Sequence, residues 1–536
     1  MTNDTKLGIV VSGSLSDGIS VRMDGNTSVE DVVVGHYVTI EGQKHRFLGM
    51  ITDVKLDTSD QRMTFFPPSM DDAFSAEVLS GTSAYGLLNV TPYLVIGDAD
   101  QANTNEPQPV KTIPGHFSPV GMASDSDIEL VFGKEDGKKF WIGNPLDMET
   151  KLCLNLPEFV KRSNGIFGKS GTGKTFLTRM LLIGILQKSA AVNLVFDMHS
   201  EYGWKHRSEK GREVKALKQL FPSKVAIFTL DEENARQRNV APDFIVKIGY
   251  DEIEPEDIAL LRQTLKLTDL AVEASFSLHK RFGKDWINHT LELAVNEDGA
   301  KILNTLNIHE SSFQSLKRGL SSLTRLSFIR PRVEQRAVEQ ILHRLENGTH
   351  VVLEFGRFTD ITAYILVANL LTRRIYDRYR ERTEMSISEG SVTPKPLVIT
   401  IEEAHKFLNT EVASQTIFGT IAREMRKYYC TLLVIDQRPS GIDAEVISQL
   451  GTKITCLLDN ERDIDSVLAG TSGKNGLKGV LAKLATKQQA LIFGHAVPMP
   501  VAFSPREYGT DEFYKDLTAE HANSKELEAT IDDLWN

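Results

Sequence analysis

Residues 168–175 read Gly-Lys-Ser-Gly-Thr-Gly-Lys-Thr, and few octapeptides restrict a fold as tightly. Gly168, Gly171 and Gly173 allow successive backbone amides to turn inward without a Cβ in the way. Those amides are useful only if a strand delivers the loop and a helix leaves it. Gly165-Ile166-Phe167 supplies a short apolar strand, and KTFLTRMLLIGILQK supplies the helix. The positive end of that helix dipole then points at the same centre as the amides. The pattern predicts a phosphate-binding loop. Gly168, Ser170, Gly171, Thr172, Gly173, Lys174, Thr175 and Phe176 would form the nucleotide cradle, with Lys174 reaching the β- and γ-phosphates of ATP and the Thr175 hydroxyl ligating Mg²⁺.

The surrounding pattern says which kind of sheet carries this loop. From about residue 160, apolar runs alternate with helical periodicity: NGIF, VNLVFD, KVAIFTL, THVVLEF, PLVITIE, TLLVID, TKITCLL and ALIFG. That alternation predicts an α/β domain with a parallel sheet. Between 251 and 347 long helical periodicity takes over, starting from acidic residues around Pro255, a helix-start signature. Residues 1 to about 100 differ: LGIVVSG, GISVRM, HYVTIEG and HRFLGMITDVKL read as closely spaced strands of a small barrel or sandwich. The expected divisions are a barrel with linker over 1–118, the first part of the core over 119–204, a mostly helical insertion over 205–347, the second part of the core over 348–508, and an acidic helical tail over 509–536. That tail reads either as a solvated terminal helix or as a subunit-docking segment.

With 536 residues, 41% hydrophobic and 25% charged, the chain has the composition of a globular protein of several domains. Its most apolar stretch, near Leu177 to Phe196, is interrupted by Arg179, Gln187, Lys188 and Asn193, which predicts no membrane span. The start, MTNDTKLGIV, predicts no secretory leader. Three scattered cysteines predict a reducing, cytoplasmic location and no disulfide framework. The net charge of -11 excludes a surface coated all over for nucleic acid and leaves room for a local basic wall.

Two further strand ends complete the candidate site. In PLVITIEEAHKFL an apolar run ends on Glu402 and Glu403. The first reads as the Mg²⁺-site carboxylate and the second as the general base for the attacking water. In TLLVIDQRPSGID, Gln437 follows a strand and is placed either to sense the γ-phosphate or simply to form the turn before Pro439. Between them IAREMRKYY offers Arg423 and Arg426 on a helix face. Either is a candidate arginine finger for a neighbouring subunit's ATP, or a surface ion-pair partner.

These segments together, GKSGTGKT, FDMHSEYG, ITIEEAHKFL, IAREMRKYY, DQRPSGID and TKITCLLDNERD, resemble the HerA branch of the HerA/FtsK superfamily of DNA-translocating ATPases. The N-terminal strands resemble the HAS barrel of that family. The resemblance implies a RecA-like P-loop ATPase core with a helical insertion, preceded by the small β-barrel. It implies a homo-hexamer with ATP between subunits and duplex DNA through the central channel. It also implies a NurA-type nuclease or a defence effector docked on the barrel face, in end processing or antiphage defence. In its terms Lys174 and Thr175 hold ATP and Mg²⁺, Glu402 and Glu403 serve the metal and hydrolysis, Arg426 is the trans finger and Gln437 the sensor. Glu402 stands where the family often has Asp, and Met425 where a small Gly is common. Two other readings stay open: a protein-moving secretion-type ATPase, and a nucleotide-gated scaffold for an effector.

Asp197, His199 and Glu201 belong to the second motif without a derivable chemistry; a structural hydrogen-bonding role is the leading expectation for His199. Neither His199 nor His405 has a ligand set around it in sequence, so no transition metal is expected. Basic stretches at 206–218, 328–336 and 371–382 are either solvated helix faces or channel-lining contacts to phosphate.

Overall fold

The computed structural model describes residues 6–517, apart from 61, 66–82, 99–105, 208–212, 295, 359–360, 391, 412, 414–416 and 472. The expected tail beyond 517, residues 99–105 of the linker and the middle of the 206–218 basic stretch lie outside the described residues.

The N-terminal strands close on themselves. Lys6–Ser14, Gly18–Met23, Ala84–Asp98, His45–Thr58, Tyr37–Glu41 and Pro119–Met122 form a continuous antiparallel ring, each bonded to the next and the last to the first. Alternation explains it: in GISVRM every second residue is buried, and Val21, Val38, Ile40, Phe47, Ile51, Leu88, Val90 and Val120 fill the interior. The closing strand is Pro119–Met122, so the barrel sheet reaches past residue 118. Its brevity and its leading proline hide it in a polar, proline-bearing stretch. Proline is tolerated there because it stands first in the strand.

The second sheet, twelve strands among the described residues, runs 244–245, 225–229, 350–354, 192–197, 397–402, 430–436, 164–167, 452–456, 490–494, 501–505, 139–145, 152–155. It is parallel as far as Thr452–Cys456 and antiparallel thereafter. The parallel strands VNLVFD, HVVLE, LVITIE and CTLLVID are buried at every residue, which is why they read as unbroken apolar runs. Helix Lys174–Gln187 is likewise buried at every position from Leu177 to Leu186. An apolar helix covered on all sides is a core element, and among the described residues no helix is long and apolar enough to cross a membrane.

Within 205–347, Val225–Thr229 and Phe244–Ile245 belong to the main sheet, and the helical part begins at Tyr250–Glu252. Of its helices, Pro255–Leu260 and Ala337–Glu346 pack against the 29-residue helix Ile361–Glu389. The basic stretch 371–382 makes that joint. Arg373 binds Glu254 and Asp257, Arg374 binds Glu254, and Arg378 and Arg382 both reach Glu346. Barrel and core touch through helix Lys474–Lys483, where a Cβ on Gly476 would come within 2.7 Å of Thr52 Cγ2. Tyr37 also accepts the Ala502 amide at 2.8 Å.

Candidate active site

The loop after Phe167 is built as its glycines require. Gly173 has φ +97° and starts the helix at Lys174. A Cβ on Gly168 would lie 2.7 Å from the Cβ of Cys456. The Gly168 amide donates to Asp436 O, and the Lys169 amide to Leu457 O, which fixes the loop between two neighbouring strand ends. Lys174 Nζ donates to the Gly168 and Lys169 carbonyls at 2.6 and 2.8 Å. Burial lowers its pKa, opposed by Cys456, Glu403, Asp436 and Glu402. Thr175 stands in the first helical turn, and Phe176 packs its ring 5.8 Å from that of Tyr508.

Glu402 ends its strand 7% exposed. Its Oε1 accepts the Tyr202 hydroxyl at 2.7 Å, whereas Oε2 is buried with no hydrogen-bond partner among the described residues. Burial, and next the charge of Asp197, push its pKa up to about 8. Glu403 has φ +49°, a left-handed conformation that costs a non-glycine residue roughly 1–3 kcal/mol. Its Oε1 accepts Gln437 Nε2 at 3.0 Å. Glu402, Glu403, Gln437 and Lys174 therefore converge on one sheet edge.

Three residues that sequence reasoning did not place hold this edge together. Asp436, wholly buried, accepts the His405 amide at 2.7 Å, His405 Nδ1 at 2.9 Å and the Arg438 amide at 2.7 Å. His405 in turn stands 3.7 Å from Glu403 Oε2, and the Asp436 hydrogen bond raises its pKa. Asp197 accepts the Glu201 and Tyr202 amides, both at 2.9 Å. His199 is exposed, so within FDMHSEYG the hydrogen-bonding role falls to Asp197 and Tyr202. Nothing in the sequence linked Asp436 to His405, 31 residues apart; the only signal was that both follow apolar runs.

Arg426 lies elsewhere. It belongs to the 3₁₀ turn Met425–Tyr428, before strand Cys430–Asp436. That strand runs parallel to Asn164–Phe167, with Phe167 opposite Asp436. The phosphate loop leaves one end and Arg426 precedes the other, about 20 Å away along the seven-residue strand. Its surroundings agree: burial, then Arg162 and, against the pull of Glu158, Arg426 lower the pKa of His495. Arg423 faces Glu445 at 3.6 Å.

The fold and this strand-end constellation define a RecA-like P-loop ATPase with a small barrel in front. A family model described as "Helicase HerA, central domain" matches residues 140–375, and one for the HAS barrel domain matches residues 7–70. The DNA double-strand break repair helicase HerA of Pyrococcus furiosus is 24% identical over 409 residues, 71% of either chain. The protein of the same name from Sulfolobus acidocaldarius is 23% identical over 523 residues, 94% of this chain and 95% of that one. Among solved structures, VirB4 of Thermoanaerobacter pseudethanolicus superposes over 71% of this chain and 99% of its own, at 11% identity and a TM-score of 0.48. The chain is thus similar to HerA-type helicases along most of its length, and it hydrolyses ATP.

Proposed function

We propose that the chain is one subunit of a homo-hexameric ring that moves duplex DNA through its centre, driven by ATP hydrolysis at subunit interfaces. The observation that carries this reading is the separation of Arg426 from the phosphate loop by the length of a strand. No movement of one side chain brings that cation to the γ-phosphate of the same subunit, so in this reading Arg426 serves the nucleotide of a second copy. The duplex as substrate draws on the double-strand break repair in the names of the relatives, whereas a NurA-type nuclease or defence effector on the barrel face rests on the family resemblance alone. Of the basic stretches, 328–336 offers exposed Arg330 and Arg332 for phosphate contacts. The reducing, cytoplasmic location belongs to the same proposal.

In this reading the loop amides and Lys174 bind the β- and γ-phosphates, and the hydroxyl of Thr175 with Glu402 holds Mg²⁺ through oxygen donors. The partnerless Oε2 of Glu402 fits such a role; the bound ion would neutralise phosphate charge. Glu403 takes a proton from the attacking water, kept in place by Gln437. The neighbour's Arg426 faces the charge developing on the transferred phosphoryl group.

ATPase assays with and without duplex DNA test this directly. Turnover should rise with duplex, and the rise should shrink with salt. Arg426→Ala should lower turnover ~10³-fold without dispersing the ring, and mixing it with Glu403→Gln subunits should restore activity. Turnover indifferent to duplex would favour the scaffold reading, and no restoration in confirmed mixed rings would remove Arg426 from the site.

A further inference from the structure

FDMHSEYG is the motif that the ATPase reading leaves without a task. Tyr202 is completely buried, two strands away from the phosphate loop's nearest neighbour in the sheet, and it makes one side-chain hydrogen bond of consequence. Its hydroxyl donates to Glu402 Oε1 at 2.7 Å. The hydroxyl is aimed from behind: Asp197 takes the Tyr202 amide on one carboxylate oxygen and the Glu201 amide on the other. That forces the chain after strand Val192–Asp197 to fold back over its own end. The ring is held by the guanidinium of Arg179, 5.9 Å from its centroid, and Arg179 stands on the phosphate-loop helix. The backbone of Glu402 is held too, because Tyr364 donates its hydroxyl to Glu402 O at 3.3 Å.

A carboxylate with one oxygen fixed by a buried donor and the other left without a partner has a single direction in which to act. We infer that Tyr202 is the positioning residue that aims Glu402 at the Mg²⁺ of the nucleotide, and that Asp197 acts through Tyr202. This rests on the reading of Glu402 as the Mg²⁺-site carboxylate. Removing such an outer partner of a metal-site group costs roughly 10–100-fold in metal affinity. The hydroxyl is the only atom that Tyr202→Phe deletes, so ring packing against Arg179 is kept.

The full-length protein is titrated with Mg²⁺ while binding of a fluorescent ATP analogue and ATP turnover are both followed. Tyr202→Phe should move the half-saturating Mg²⁺ concentration upward by roughly 10-fold or more in both readouts. Metal-free nucleotide binding, and turnover at saturating Mg²⁺, should stay near those of the parent. Asp197→Asn, which keeps one amide acceptor, should move it less. The double variant should be no worse than Tyr202→Phe alone, because the two act in series. An unmoved Mg²⁺ curve in Tyr202→Phe would overturn the inference, and additive shifts would overturn the route through Tyr202. Glu402→Gln separates the two layers. If Glu402→Gln shifts the curve and Tyr202→Phe does not, the positioning role fails; if Glu402→Gln itself leaves the curve in place, the metal-site reading fails. Should Tyr202→Phe prove unstable in thermal melts, Asp197→Asn alone decides, and an unmoved curve there would equally refute the chain of contacts.

Discussion

The two edges of the parallel sheet are made differently. At the edge where the strands end, four neighbouring strands finish on buried acids: Glu354, Asp197, Glu402 and Asp436. Each is bound to an amide, a hydroxyl, an imidazole or a guanidinium. Crowding shows in their chemistry: burial, then Asp197, pushes Glu354 up to about 7. At the edge where the strands begin stand two arginines, Arg426 exposed and Arg162 half-buried, beside His495, whose pKa they help to lower. One edge is rigid, packed and complete in itself. The other carries Arg426, exposed and with no ion pair to an acid among the described residues, where the proposed ring would place a neighbour's nucleotide.

The largest expected effect strikes the first edge at its centre. Lys174→Ala should leave no measurable turnover, because the loop's other cation, Lys169, is paired with Asp459; turnover at the parent level would place the nucleotide elsewhere. Glu403→Gln comes next, with kcat lower by ~10²–10⁴-fold and nucleotide affinity nearly kept. A comparable loss of affinity would make Glu403 a binding group. Gln437→Ala should lower kcat roughly 10-fold, short of the ~10²-fold that a misplaced reacting group can cost, since His405 remains near Glu403. An unchanged kcat would show that the hydrogen bond to Glu403 is idle.

The smallest effect concerns the middle of the sheet. The His350 ring accepts the Asn193 amide at 3.0 Å, and burial, then Lys224 and Lys395, lower its pKa to about 3. The folded value lies below the unfolded one, so between pH 6.5 and 3 the unfolded chain binds the extra proton. Stability should therefore fall with pH through that window, by at most ~1.4 kcal/mol per unit. His350→Gln should flatten part of the slope of urea midpoint against pH; an unaltered slope would assign the acid sensitivity to other groups.

Much of this could be read from the sequence, for identifiable reasons. NGIF, VNLVFD, LVITIE and CTLLVID are apolar throughout because both faces of a parallel sheet are covered, and all four are strands. The loop and the acids of PLVITIEE were legible because a strand end fixes where its next residue points. What was hidden depends on pairing across the sheet: Tyr202 with Glu402, Asp436 with His405, and the arginines of 371–382 with Glu254, Asp257 and Glu346. Those arginines looked like material for binding phosphate, and in the fold they are consumed by acids more than 25 residues distant in sequence. Spacing along a chain carries no information about such partners.

Strand Cys430–Asp436 joins the two edges. At one end its next residue, Gln437, holds Glu403, the proposed general base; at the other, the preceding turn carries Arg426. In the proposed ring that strand is a stiff rod reporting on two nucleotides, its own and its neighbour's. A shift of one register-locked strand by a fraction of an ångström at the Arg426 end would be felt at Gln437 without any hinge, and the order in which subunits fire could be timed by that rod alone.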